Sequence, residues 1–136
     1  MTPGQPGIDI VPVARIDRLI RAHGHRFLQR WFTEGEIAYC TAKAVPSRHF
    51  AARFAAKEAV AKVIPGRWDG PLPWLSIEIV STSTGAPTVE LSGSVLATAL
   101  RNGLADIVIS MSHCEDYATA VAMTSPSTPG CGADES

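Results

Sequence analysis

The spacing of hydrophobic residues changes along the chain, and the changes divide it into strands and helices. Residues 7–13 (GIDIVPV) are apolar except for Asp9, predicting a short strand that Pro12 ends or holds at a sheet edge. Over residues 15–22, Ile16, Leu19 and Ile20 fall at helical spacing, with Gly24 where a C-terminal cap belongs. A second short helix is predicted over residues 25–32. The T-x-x-E capping box of Thr33 and Glu36 starts a third, which runs to about Thr41. Ala44-Val45-Pro46 breaks the pattern. Ser47 is then the expected cap of the longest helix, RHFAARFAAKEAVAKVI, which Pro65-Gly66 stops.

Beyond this point the period drops to two. Leu75, Ile77 and Ile79 alternate with polar neighbours over residues 74–80, and Val89 and Leu91 do so over residues 88–92. The intervening STSTGAP predicts a hairpin. A short helix over residues 94–100 ends at Asn102-Gly103, and a second hairpin joins residues 105–111 to residues 117–123. The order β-α-α-α-β-β-α-β-β predicts an α+β fold, an antiparallel sheet packed on a long helix and shorter helices. From Ser125 the chain is Ser, Thr, Pro, Gly and acids, so one domain over residues 1–124 and a disordered tail over 125–136 are expected.

Composition changes this picture little, but its distribution adds to it. The 136 residues are 46% hydrophobic and 18% charged, as suits a single core, and the formal charge of -1 gives no reason to expect a nucleic-acid binder. Residues 1–67 nevertheless carry 11 basic and 5 acidic side chains, and residues 68–136 carry 1 basic and 8 acidic. Such a split can present an anion-attracting surface at near-zero net charge. No apolar run approaches the roughly 20 residues that span a bilayer, and no signal-peptide pattern opens the chain, so a soluble, cytoplasmic protein without membrane contact is expected. Cys40, Cys114 and Cys131 lack C-x-x-C spacing, which argues against a disulfide framework or structural zinc.

Three places could carry chemistry. On the long helix, Phe50, Phe54, Ala61 and Ile64 share one face, and Glu58 and Lys62 lie on a neighbouring one. Ala51, Ala55 and Ala59 are too short to shield the backbone, so a ligand could lie against them and meet a carboxylate and an ammonium one turn apart. An ordinary surface pair at i,i+4 fits the same spacing. Lys57 projects near the aromatic face and needs a polar partner, for which Asp9 is the candidate. A strand aspartate and a helix glutamate could together form a hard oxygen site for Mg²⁺; Asp9 could equally cap a helix or pair with a base. His113 ends a strand and opens a loop, while His23, His25 and His49 lack metal-ligand spacing. Arg15, Arg18 and Arg21 recur every three residues, with Arg26 just beyond, predicting a basic stripe near Asp9.

Taken in order, GIDIV with Arg15-Ile16, FLQRWFTEGE, ARFAAKEAVAK and SMSH (residues 110–113) resemble holo-[acyl-carrier-protein] synthase, the small trimeric class of 4'-phosphopantetheinyl transferase. The resemblance runs from Gly7 to Met123. It implies transfer of phosphopantetheine from coenzyme A to a serine of an apo acyl carrier protein, with release of adenosine 3',5'-bisphosphate. It also implies that Asp9 and Glu58 hold Mg²⁺ and that Lys62 neutralises phosphate; among these residues Glu58, directly or through a metal-bound water, is the nearest candidate base. Arg53 and His113 resemble positions at the nucleotide's 3'-phosphate, and the Gly85-Ala86-Pro87 turn resembles one that packs on adenine. A homotrimer with inter-subunit active sites is implied as well, and the basic stripe of Arg15, Arg18, Arg21 and Arg26 is expected, on its charge, to dock an acidic carrier. Ala52 stands where the family usually has Gly, and Ala86 where it often has Lys. A Mg²⁺-dependent phosphodiester hydrolase and a non-catalytic module for acidic partners are the alternatives.

Overall fold

The computed structural model describes residues 6–66 and 72–126. Strand β1 (Pro6–Pro12) leads into three helices, α1 (Val13–His23), α2 (His25–Trp31) and α3 (Glu34–Thr41), and then into the long helix α4 (Pro46–Val63). A 3-10 turn (Trp74–Ser76) opens the β-rich half: β2 (Ile77–Ser81), β3 (Pro87–Leu91), helix α5 (Gly93–Arg101), β4 (Leu104–His113) and β5 (Tyr117–Pro126). The architecture is the expected α+β type. β1, β5 and β4 form an antiparallel sheet in that order, and β2 and β3 pair as a separate antiparallel hairpin.

α4 is the axis of the molecule. It packs on all three strands of the larger sheet and also touches α1, α3 and β2. Ala51, Ala55 and Ala59, expected to leave room for a ligand, are fully buried. Small side chains here admit the molecule's own strands: a Cβ added to Gly7 would collide with the Ala59 carbonyl, so glycine is what lets β1 lie so close to α4. With helix and sheet nearly in contact, whatever projects from Gly7's neighbours on the same face of β1 must meet α4.

Three local expectations change. Pro46 occupies the first turn of α4 and Val45 its N-cap position without a side-chain bond, so Ser47 lies inside the helix rather than capping it. Proline suits that turn because it has no N–H to leave unpaired. Trp74 and Leu75 belong to the 3-10 turn, and β2 begins only at Ile77. β5 runs through Pro126, two residues into the expected tail; residues 127–136 lie outside the described residues. The capping box is as read. Thr33 N donates to Glu36 Oε1 at 2.8 Å, and Glu36 N donates to Thr33 Oγ1 at 3.2 Å. Among the described residues, no helix is long and apolar enough to cross a membrane.

Candidate active site

The first cluster forms where β1 lies on α4. Strand alternation turns Gly7, Asp9 and Val11 toward the helix and leaves Ile8 and Ile10 outward, 66% and 63% exposed. Lys62 reaches back from the last turn of α4. Its Nζ donates to the Ile8 carbonyl at 2.8 Å and to Asp9 Oδ1 at 3.3 Å. Among the described residues, its ion pair is therefore with Asp9 rather than with Glu58 one turn earlier. Thr119 Oγ1 donates to the Asp9 carbonyl at 2.9 Å, fixing the strand from its other neighbour.

Glu58 is half-buried beside this pair. Burial, and then repulsion from the Asp9 carboxylate, raise its carboxyl above the ordinary 4.5, against the pull of Lys62 and Arg15. The two carboxylates thus share a neighbourhood in which the available cations do not fully offset them. Hard oxygen donors in that state suit a divalent cation of the Mg²⁺ type, which takes one or two carboxylates and completes its shell with water and phosphate oxygens. Among the described residues, no cluster of three or more His, Cys, Asp or Glu could hold a metal.

Lys57 does not meet Asp9. It points to the opposite side of α4, where Nζ lies 2.7 Å from Glu36 Oε1 with neither side chain exposed, and donates to the Trp74 carbonyl at 3.0 Å. Glu36 Oε2 in turn accepts the Ile79 amide at 2.8 Å. One buried ion pair therefore joins α3, α4, β2 and the 3-10 turn. Burial holds the Lys57 ammonium below its ordinary value, against the pull of Glu36 and Glu78.

A second cluster gathers five residues further toward the start of α4. Arg53 is 2% exposed. Its Nη2 donates to Ser81 Oγ at 2.9 Å, and its guanidinium lies 4.0 Å from the Tyr39 ring centroid. The buried Nε has no partner among the described residues. Above it lie Lys43, His49 and His113. The two histidine rings meet edge to face with centroids 4.8 Å apart, and Tyr39 borders His49 at 6.3 Å. The Tyr39 phenol is held below 10.0, first by its bond to Ser81 and also by Lys43 and Arg53. Directly after Ser81 the chain enters the turn of Gly85 (φ 89°) and Pro87, closed by Thr82 N donating to the Ala86 carbonyl at 3.0 Å. Sequence reading missed His49, Tyr39 and Lys43 because it tested the histidines only for metal spacing. The i,i+4 pair of His49 and Arg53 was the signal available.

A third feature is a groove of about 550 Å³ between α1 and α2. Leu19, Phe27, Trp31 and Phe54 floor it, with Trp31 packed between Phe54 and Trp74 at 4.5 Å from each. Arg15, Arg26, Arg30 and His23 wall it. The expected stripe is split. Steps of three residues rotate each arginine by about 60° from the last, so Arg21 faces elsewhere, 2.9 Å from Asp17, and lines a different depression with Glu115 and Asp116. Arg18 is exposed and lines neither. Arg30 was missed, although Arg26/Arg30 and Phe27/Trp31 are both i,i+4 pairs.

One carboxylate on an edge strand and one on the long helix, with basic clusters on either side, could hold a divalent cation beside a phosphate. Residues 5–122 match the family model described as the 4'-phosphopantetheinyl transferase superfamily. The chain belongs to that family, and it is a transferase. More particularly, it is 43% identical over 123 residues to the holo-[acyl-carrier-protein] synthase of Moorella thermoacetica, covering 90% of this chain and 94% of that protein. The corresponding protein of Chlamydia pneumoniae is also 43% identical, over 117 residues covering 86% of this chain and 93% of that protein. The fold superimposes on the crystal structure of Helicobacter pylori holo-[acyl-carrier-protein] synthase in complex with coenzyme A. That TM-score is 0.77 at 31% identity, covering 89% of this chain and 100% of that one.

Proposed function

We propose that this protein transfers 4'-phosphopantetheine from coenzyme A to a serine of an apo acyl carrier protein, in a Mg²⁺-dependent reaction that releases adenosine 3',5'-bisphosphate. The observation that carries the reading is the meeting of Asp9, Glu58 and Lys62 at the β1–α4 crossing. Asp9 and Glu58 would hold Mg²⁺, whose contribution when bound is to neutralise pyrophosphate charge. Lys62, already fixed by the Ile8 carbonyl, presents an ammonium that is half exposed and can offset charge on the leaving bisphosphate.

In the chemical step the serine oxygen bonds to the phosphorus on the pantetheine side, the bridging P–O bond breaks, and the leaving group departs as the bisphosphate. The serine proton passes to a carboxylate. Glu58 is placed for this because it would have two carboxylate oxygens at the site, so ligation through one would leave the other to accept. At the nucleotide end His113 and Arg53 would contact the 3'-phosphate, Arg53 from beneath, where it is 2% exposed in the free chain. Gly85 and Pro87 would border the adenine.

The groove walled by Arg15 and Arg26 suits an acidic carrier, with Arg18 and Arg21 as outlying charges that steer its approach. The outer face of the larger sheet leaves Ile8, Ile10, Val108, Tyr117 and Met123 exposed. That apolar face supports a homotrimer in which neighbouring subunits complete each active site. Free Cys40 and Cys114 fit a cytoplasmic setting. The test is to incubate the protein with coenzyme A, Mg²⁺ and an apo acyl carrier protein. A mass gain of one phosphopantetheine on the carrier is expected, and its absence would refute the reading.

A further inference from the structure

The cluster over Arg53 is a concentration of positive charge with an unusual member. Phosphate ligands elsewhere are commonly arginine and lysine, which stay protonated. Here two imidazoles are in ring contact at 4.8 Å, and a cationic pair that close would repel itself. The groups acting on His49 are Arg48 and Arg53 from its own helix, Lys43 from the α3–α4 link and His113 from β4, every one of them basic, with the neutral Tyr39 ring beside it on α3. His49 is consequently held below its ordinary 6.5, by burial first and then by His113 and the other cations. Free protein near neutral pH therefore presents a neutral imidazole at a place where the surrounding field already favours an anion.

We propose that His49 is a second phosphate-gripping histidine beside His113, and that the pair takes up a proton from solvent when the nucleotide's 3'-phosphate arrives. This rests on the coenzyme A reading above and sharpens its nucleotide end. A dianion close to both rings reverses the balance that keeps His49 neutral, so the proton and the phosphate bind together. The unpartnered Nε of Arg53 beneath them adds a fixed charge that the anion also answers. Coenzyme A affinity then falls as pH rises through neutrality, through a group remote from the carboxylates. His49 lies nine residues before Glu58, about 14 Å along the helix axis.

The test is titration calorimetry of the protein with adenosine 3',5'-bisphosphate at pH 7.5, where phosphate monoesters are already dianions. Runs in two buffers of different ionisation enthalpy count the protons taken up. 5'-AMP, which lacks the 3'-phosphate, is the control. Wild type should take up a measurable fraction of a proton with the bisphosphate and none with 5'-AMP. His49→Phe keeps an aromatic ring between Tyr39 and His113, so a packing role would be preserved. The proposal instead expects about ten-fold weaker bisphosphate binding, of the size of a lost charged hydrogen bond, together with a reduced proton count. Wild-type binding without proton uptake, or a His49→Phe variant that matches wild type in affinity and proton count, overturns the proposal. If either result comes with phosphopantetheine transfer intact, the functional reading stands and only His49 leaves the site; if transfer is absent too, both fall.

Discussion

Lys57 and Lys62 stand five residues apart on one helix, each paired with a carboxylate, and the two pairs do opposite work. Lys57 and Glu36 meet at 2.7 Å with no exposure on either side, and every neighbour is an internal group of the fold. Lys62 and Asp9 meet at 3.3 Å with side chains 51% and 19% exposed. The buried pair is also bonded to the Trp74 carbonyl and to the Thr33 and Ile79 amides, and neither side chain reaches solvent, so it answers to nothing outside. The outer pair has a third charge, Glu58, beside it and solvent in front, and can rearrange when an anion or a cation arrives. Burial thus separates a charge pair that fixes the helix from one left open to a ligand.

The hardest way to test this contrast is to break the inner pair. Lys57→Met leaves Glu36 charged and buried, and should lower unfolding stability by about 3–5 kcal/mol, read by denaturant unfolding. Adding Glu36→Leu should recover part of that loss, but not all, because the Thr33 and Ile79 amides would then lack their acceptor. Equal stability of Lys57→Met and wild type would mean the pair is not structural.

Breaking the outer site should act on rate instead. Asp9→Asn and Glu58→Gln should each lower transfer by on the order of 10²–10³-fold, with unfolding midpoints near wild type, and excess chelator should do the same to the wild-type protein. Full activity of either variant with chelator present would remove the carboxylates from the mechanism.

A smaller effect belongs to the groove. Arg15→Ala should raise the carrier-protein KM by about five- to ten-fold, as for one lost partly buried charge contact, and leave the coenzyme A KM unchanged. A change in the coenzyme A term would assign Arg15, which acts on Glu58, to the metal end instead.

The smallest effect sharpens the comparison through pH. Glu58 has a folded value above its ordinary 4.5, so between those values the folded state binds more protons than the unfolded one. Stability of the metal-free protein should therefore fall slightly as pH rises through that window. Glu58→Gln should abolish that slope in chelator-treated protein; a slope of the same size in the variant would locate it elsewhere.

These contrasts also mark what the sequence could and could not convey. The capping box, the course of α4 and the residues Asp9, Glu58 and Lys62 were legible because each is a local pattern or a motif. Lys57's partner was not: Glu36 is 21 residues away and Asp9 48, and only the packing of α3 and β1 on different sides of α4 decides between them. The alanines misled for a related reason. A wheel with one hydrophobic face assumes one covered side, whereas α4 is covered by strands and helices nearly all round, and small side chains then mean close approach rather than open surface. The arginine stripe failed on arithmetic that the sequence did contain, since a period of three drifts around a helix of 3.6 residues per turn.

The pairing of β1 with β5 bears on how the protein comes into being. Asp9 lies opposite Ala120 in that ladder, and β1 borders no other strand in its sheet. β1 thus waits on the ribosome for β5, made more than a hundred residues later, the kind of long-range closure that slows folding. Until β5 emerges, β1 lacks its strand partner, and the Thr119 hydroxyl that holds the Asp9 backbone has not been made. A product that stops before β5 should therefore be inactive however well α4 has formed.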